Sequence, residues 1–224
     1  MAGEYRQPRP RRPIPIAAEP HDIAFRIEPI VDLRLSQPVG CEWLLDHAHP
    51  SSREGWTPVY QAMVHYLPQT TRKIAINITS CLLQNLPTRA LLRSIAVTHG
   101  PRIIFEWVED ANGDHQATAQ TLKRWRTRYG IGIAIDDVGS SGLDGLWRIL
   151  HTAPDWIKLD GALFQASLKD ALARSILTHI VQIAEAQGSH LIVEWIETAE
   201  HHQWAMQYGA QFGQGFLFNR EGGF

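Results

Sequence analysis

Residues 131–138 read Ile-Gly-Ile-Ala-Ile-Asp-Asp-Val. An apolar run of strand length ends in two adjacent acids, Asp136 and Asp137, and Gly130 just before it stops a helical stretch. The pattern recurs outward in both directions. Apolar runs rich in Ile, Val and Phe lie at Ala24–Leu33, Val39–Leu45, Ile74–Thr79, Arg102–Val108, Trp156–Leu159, Leu191–Ile196 and Phe212–Phe218. Amphipathic helical stretches fall between several of them: Val59–Leu67, Cys81–Val97, Thr118–Tyr129, Leu143–Leu150, Ala162–Gln187 and Ala199–Tyr208. Gly188 and Gly209 are further helix stops. Strand–helix alternation favours a parallel sheet. Eight strands in one domain suggest a closed (β/α)8 barrel of the TIM type, and on pattern alone an open doubly wound sheet stays possible.

The polar residues carry the functional reading. Strand after strand ends in an acid, amide or cation: Glu42, Asn77, Glu106, Asp136 with Asp137, Lys158, Glu194 and Gln214. In a barrel such positions converge on the C-terminal mouth. A single acid there would be an ordinary helix cap, but the repetition is not explained by capping. Five of these groups are carboxylates and only Lys158 is a cation. Two like charges at 4 Å repel by about 4 kcal/mol at an effective dielectric near 20, against a whole-protein stability of about 5–15 kcal/mol. The acids must therefore take up protons or bind cations. An all-oxygen set without converging His or Cys selects Mg²⁺ or Mn²⁺ over Zn²⁺. The Asp136–Asp137 pair could serve two ions, the usual device for in-line attack on a phosphodiester.

The remaining sequence bounds this reading. The chain has 224 residues, 44% apolar and 20% charged, which excludes wholesale disorder. A net charge of −2 gives no global field to draw it onto DNA or RNA. No apolar stretch approaches a membrane span. Two cysteines, Cys41 and Cys81, cannot build a disulfide framework and are expected to be ordinary buried residues of a cytoplasmic protein. Residues 1–21 read as a disordered Arg/Pro-rich tail, and residues 22–224 as one domain. Strand alternation sends Trp43, Trp107 and Trp195 toward the helix layer. The pairs His47/His49 and His201/His202 read as surface histidines, and the basic run 123–128 as a solvated helix face.

Seven motifs stand in order along residues 27–218, the first after a Pro-Ile-Val-Asp-Leu run (29–33): Glu-Trp-Leu (42–44), Asn-Ile-Thr (77–79), Glu-Trp-Val-Glu (106–109), Asp-Asp-Val-Gly (136–139), Lys-Leu-Asp (158–160), Glu-Trp-Ile-Glu-Thr (194–198) and Gln-Gly-Phe (214–216). Together they resemble the EAL-domain family, phosphodiesterases of the bacterial second messenger cyclic di-GMP. The resemblance implies a modified (β/α)8 barrel whose first strand runs antiparallel. It implies hydrolysis of cyclic di-GMP to linear pGpG, with Glu42, Asn77, Glu106 and Asp136 around one Mg²⁺ or Mn²⁺ and Asp136, Asp137 and Glu194 around a second. Lys158 would orient the attacking water, and Gln214 would support the metal–water network. Glu197 would contact guanine or order the site, and Glu109 would brace the loop after Asp137.

The chain also departs from that pattern. Glu28 stands where the family's nucleotide-holding Gln is expected, and Asp46 where a phosphate-binding Arg is expected. The loop at 139–145, which in the family couples metal binding to a homodimer, is altered. The segment between Glu42 and Asn77 is short, and the closing helix is expected to be absent. These departures support an alternative function: a barrel that binds cyclic di-GMP or a protein partner as a sensor, with little turnover.

Overall fold

A computed structural model describes residues 25–45, 65, 67, 70–110, 112–140 and 144–218. The tail, Asp46, His47, His49 and the expected helix at Val59–Leu67 (apart from residues 65 and 67) lie outside the described residues, as do the chain beyond Phe218 and the middle of the loop at 139–145. Eight strands close a barrel in sequence order: β1 (Phe25–Asp32), β2 (Gln37–Leu45), β3 (Lys73–Ile78), β4 (Ile103–Trp107), β5 (Gly132–Val138), β6 (Trp156–Leu159), β7 (His190–Val193) and β8 (Phe212–Gly213). β1 pairs antiparallel with both β2 and β8, and every other pairing is parallel. The closed barrel with its reversed first strand is therefore the fold, and the open sheet is excluded.

Seven helices among the described residues surround it: α1 (Ser80–Gln84), α2 (Leu86–His99), α3 (His115–Tyr129), α4 (Asp144–Thr152), α5 (Gly161–Ser167), α6 (Ala171–Gln187) and α7 (Ala199–Gln207). Two stretches that periodicity reads as single helices are broken by local caps. Asn85 accepts the Thr88 amide at 3.1 Å, and Pro87 sits in the first turn of α2, so Cys81–Val97 divides there. Asp170 accepts the Ala173 amide at 2.8 Å and starts α6, dividing Ala162–Gln187. The glycine stops are as expected. Gly130 and Gly188 adopt φ of 74° and 73°, and Gly130 N–H donates back to Arg126 O at 2.9 Å.

The side-chain period of two builds the barrel in layers. Facing inward at the lower level are Ile30, Ala75, Ile104, Ala134 and Ile192, with Trp156 and Phe212 packed on them. Two residues from each of these, one layer up, come Glu28, Asn77, Glu106, Asp136, Glu194, Lys158 and Gln214 in turn. The outward positions face the helices: Ile76, Phe105, Trp107, Ile133, Ile157 and Val193 belong to the main core. Trp43 and Trp107 are buried there, as alternation expects.

The last two strands are shorter than their apolar runs. β7 stops at Val193 and β8 at Gly213, because Trp195 turns to a φ of 57°. That turn lays the indole over Gly161, where an added Cβ would lie only 2.2 Å from the ring. Backbone bonds Gln214 N–H to Val193 O (2.9 Å) and Ile196 N–H to Gln214 O (3.0 Å) still hold Glu194 and Gln214 at the mouth.

Candidate active site

Seven of the expected site residues form one buried cluster, centred on Lys158. Its ammonium lies 3.0 Å from Glu42 Oε2, 3.1 Å from Asp136 Oδ1 and 2.8 Å from Glu194 Oε1, and it donates to Glu106 Oε1. Glu42 is the second hub. It accepts from Asn77 Nδ2 at 2.8 Å and from Gln214 Nε2 at 3.0 Å besides Lys158. Glu42, Glu106, Lys158 and Gln214 are each no more than 3% exposed. One cation thus faces four carboxylates in a medium that screens weakly.

Alternation would send adjacent Asp136 and Asp137 to opposite faces. The backbone avoids this with a bulge. Pairing of β5 with β6 passes from Ile135↔Ile157 to Val138↔Leu159, so two residues of β5 oppose the single Lys158. Asp137 takes a φ of 54° there. One carboxylate oxygen from each of Asp136, Asp137 and Glu194 lies within 4.8 Å of the others, a spacing that fits a metal ion. A second set of donors is left over. Asn77 Oδ1, Glu106 Oε2 and Gln214 Oε1 are buried and accept no hydrogen bond. Buried oxygens without donors are what a hard divalent cation would satisfy. Both observations fit Mg²⁺ or Mn²⁺ at this mouth.

The charge imbalance moves the proton equilibria. Burial, then the neighbouring Glu42 charge, holds Glu106 well above the ordinary carboxylate range, with Lys158 opposing. Burial and Asp136 push Asp137 up to about 6. Burial raises Glu194 to about 8 despite Lys158. Burial opposes the charge on Lys158, but Asp136, Glu106, Glu194 and Glu42 outweigh it and raise its affinity for the proton. Burial also acts against Glu42, yet Lys158, Gln214 and Asn77 keep it below its usual value.

A pH dependence follows. Asp137 and Glu194 hold protons in the folded state that the unfolded chain gives up near their ordinary values of 3.8 and 4.5. Their contribution to stability is complete below about pH 4 and is lost as pH rises through about 6 and then 8. The metal-free protein is therefore expected to melt at progressively lower temperature between pH 5 and pH 8.5. Mn²⁺ should flatten that slope by replacing the protons. Thermal melts in chelator and in Mn²⁺ across this range check it; a melting temperature that climbs with pH in chelator would contradict it.

Glu28 is directly opposite Glu42 across the β1–β2 pair, which places a further acid on the same face. Glu109 and Glu197 are exposed at the rim. Asp46 lies outside the described residues. Three lesser expectations are corrected by the structure. Cys41 is buried, with its thiol raised to about 11 by that burial, but Cys81 is exposed because it sits on the outer side of α1. His201 and His202 are half-buried and bonded: Gln165 Nε2 lies 3.1 Å from His201 Nδ1, and His202 Nε2 lies 2.7 Å from Leu33 O, tying α7 to the end of β1. Within the basic run, Lys123, Arg124 and Arg128 are solvated as expected, whereas Arg126 donates to Thr152 O and Ala153 O.

The sequence reading missed Arg148. Its guanidinium is 1% exposed and donates to Trp107 O and, at 3.3 Å, to Asp136 O. The signal was present: Gly145, Arg148, Ile149 and Thr152 form the buried stripe of α4, and an arginine in such a stripe needs internal partners.

Comparison with known proteins places this geometry. The model of the EAL domain family matches residues 57–221. The match begins after the Glu-Trp-Leu signature, but pairing of Glu42 with Ala75 sets that strand beside the matched region. The chain is 28% identical over 232 residues to a protein of Escherichia coli (strain K12) named "Probable cyclic di-GMP phosphodiesterase PdeB", covering 91% of this chain and 43% of that one. The first curated relatives are thus matched over less than half of their own length. Among solved structures, the EAL domain of Mycobacterium smegmatis DcpA superposes with a TM-score of 0.73 at 20% identity, covering 87% of this chain and 88% of that one. The Klebsiella pneumoniae BlrP1 manganese/cy-diGMP complex at pH 9.0 superposes with a TM-score of 0.72 at 23% identity, covering 91% and 57%. At these identities the two structures establish a shared fold. No helix among the described residues is long and apolar enough to cross a membrane.

Proposed function

This chain belongs to the EAL-domain family, and from that premise we propose that it hydrolyses cyclic di-GMP to linear pGpG with the help of Mg²⁺ or Mn²⁺. The observation that carries the proposal is the Lys158-centred ring of carboxylates, with its unpartnered buried oxygens and the Asp136–Asp137–Glu194 triad.

Glu42, Asn77, Glu106 and Asp136 would hold one ion, and Asp136, Asp137 and Glu194 the other. Bound there, the ions would supply Lewis acidity toward the phosphoryl oxygens and toward a water. The chain's own residues do the rest. Lys158, held protonated by four acids, places a fixed positive charge where negative charge develops on the phosphorus oxygens. Glu194, 2.8 Å from the Lys158 ammonium, would hold or flank the second ion on the side of the attacking water. Asn77 and Gln214 fix Glu42 in one orientation, so the site needs little reorganisation during reaction. Glu197 and Glu109, on the rim, would meet the guanine and the loop after Asp137.

Glu28 favours a second reading, a module that binds the nucleotide with little turnover. Its position opposite Glu42 adds negative charge on the face that would receive a phosphodiester. One assay separates the two. The protein is incubated with cyclic di-GMP and Mn²⁺ and the products are resolved by chromatography. Accumulation of pGpG supports the enzyme; binding of the dinucleotide without product supports the module; the absence of both overturns the nucleotide reading. Glu28→Gln and Asp46→Arg each remove a negative charge expected near the phosphates, so each is expected to tighten cyclic di-GMP binding about 5–10-fold. Calorimetric titration measures this, and unchanged affinity in both variants counts against the placement.

A further inference from the structure

We propose that Arg148 is a positioning residue of this mouth: it fixes the bulged backbone that presents Asp136 and Asp137 and ties it to the strand end that carries Glu106. The assignment rests on reading the mouth as a metal-dependent centre.

Pairing between β4 and β5 runs out at Trp107↔Ile135. The bulge follows at once, with two residues of β5 opposite one of β6. Backbone carbonyls just beyond such a break have no strand ladder to satisfy them. Arg148 reaches both strand ends from α4. Nη1 donates to Trp107 O, the carbonyl directly after Glu106, and Nη2 donates to Asp136 O at 3.3 Å, the carbonyl of the peptide leading into Asp137. A planar fork of donors suits two carbonyls on adjacent strands.

The guanidinium is itself held. Nε pairs with Asp144 Oδ2 at 2.8 Å, and the charge lies over the Trp107 ring at 5.8 Å. Asp144 Oδ1 lies 3.2 Å from His115 Nδ1, and His115 Nε2 lies 2.9 Å from Asp110 O, which follows β4. The chain of contacts therefore runs from one strand end through α3 and α4 back to the other. Its consequence is local. Asp137 sits at a φ of 54°, a conformation costly for a non-glycine residue, and persists only where its surroundings over-determine it. Arg148 supplies that determination from behind, without touching the carboxylates.

The test compares three variants of the whole chain. Arg148→Met removes the fork, Arg148→Lys keeps a charge but cannot span both carbonyls, and Ile149→Ala removes core packing one residue along the same helix. Amide hydrogen exchange is followed without metal, and Mn²⁺ affinity by calorimetry. Arg148→Met is expected to speed exchange about tenfold in segments 106–110 and 136–140 and to weaken Mn²⁺ binding about 10–100-fold. Arg148→Lys should recover melting temperature but not protection in those segments. Ile149→Ala should lower melting temperature while leaving both segments and Mn²⁺ affinity near wild type. Unchanged exchange in Arg148→Met, or equal losses in Ile149→Ala, overturns the assignment. A wild-type chain that takes up no Mn²⁺ overturns the metal reading instead, and the exchange comparison then decides Arg148 alone.

Discussion

Lys158→Met is expected to lower the stability of the metal-free protein at pH 8 by about 3–5 kcal/mol, the usual cost of removing one partner from a buried ion pair. For a chain of this size that is a fall in melting temperature of about 6–20 °C. Lys158 is 1% exposed and lies within 3.1 Å of acids on four different strand ends or their extensions. Methionine fills much of the same volume, so the loss is electrostatic rather than a cavity. Without the ammonium the acids can lower their mutual repulsion only by taking protons. The penalty should therefore shrink at pH 5, where Glu106, Glu194 and Asp137 accept them, and shrink again in Mn²⁺. Thermal melts at both pH values, with chelator and with Mn²⁺, measure all three effects. A variant that melts like wild type at pH 8 in chelator would mean that the cluster does not need its cation, and the account of the site would fail.

Glu42→Ala is expected to reduce turnover of cyclic di-GMP by at least about a thousandfold, roughly 4 kcal/mol of activation free energy. Three donors converge on this carboxylate, from Asn77, Lys158 and Gln214. Its removal takes a ligand from one proposed ion and strands all three donors in a buried site. Glu42→Gln separates these effects, because the amide keeps an acceptor for Asn77 while giving up the charge. It should fold close to normally and still lose most activity. Steady-state kinetics beside melting curves read the two variants; a fully active Glu42→Gln would remove this residue from the metal set.

Much of the site was legible from alternation alone. Asn77, Glu106, Asp136 and Lys158 stand two residues beyond Ala75, Ile104, Ala134 and Trp156, and a period of two puts each pair on one face. The reversed first strand came from motif resemblance rather than from any local signal. Where the reading slipped, a short polar cap or an irregular turn was responsible. Asn85 and Asp170 divided helices whose apolar period runs on unbroken, and the turn at Trp195 ended β7 before its apolar run did. Cys81 was misplaced because helix phase, not residue type, sets which side of α1 it takes.

The amino-acid sequence by itself determined that strands alternate with helices and which residues stand at the strand ends, because inside-or-outside is a property of each strand's own spacing. Only the tertiary structure decided that Lys158 meets Glu42 across 116 residues of chain. It also decided that a bulge turns Asp136 and Asp137 to the same side, and that a buried Arg148 holds them there. Those facts depend on barrel closure and on where strand pairing breaks, and neither is written in the spacing of any single element.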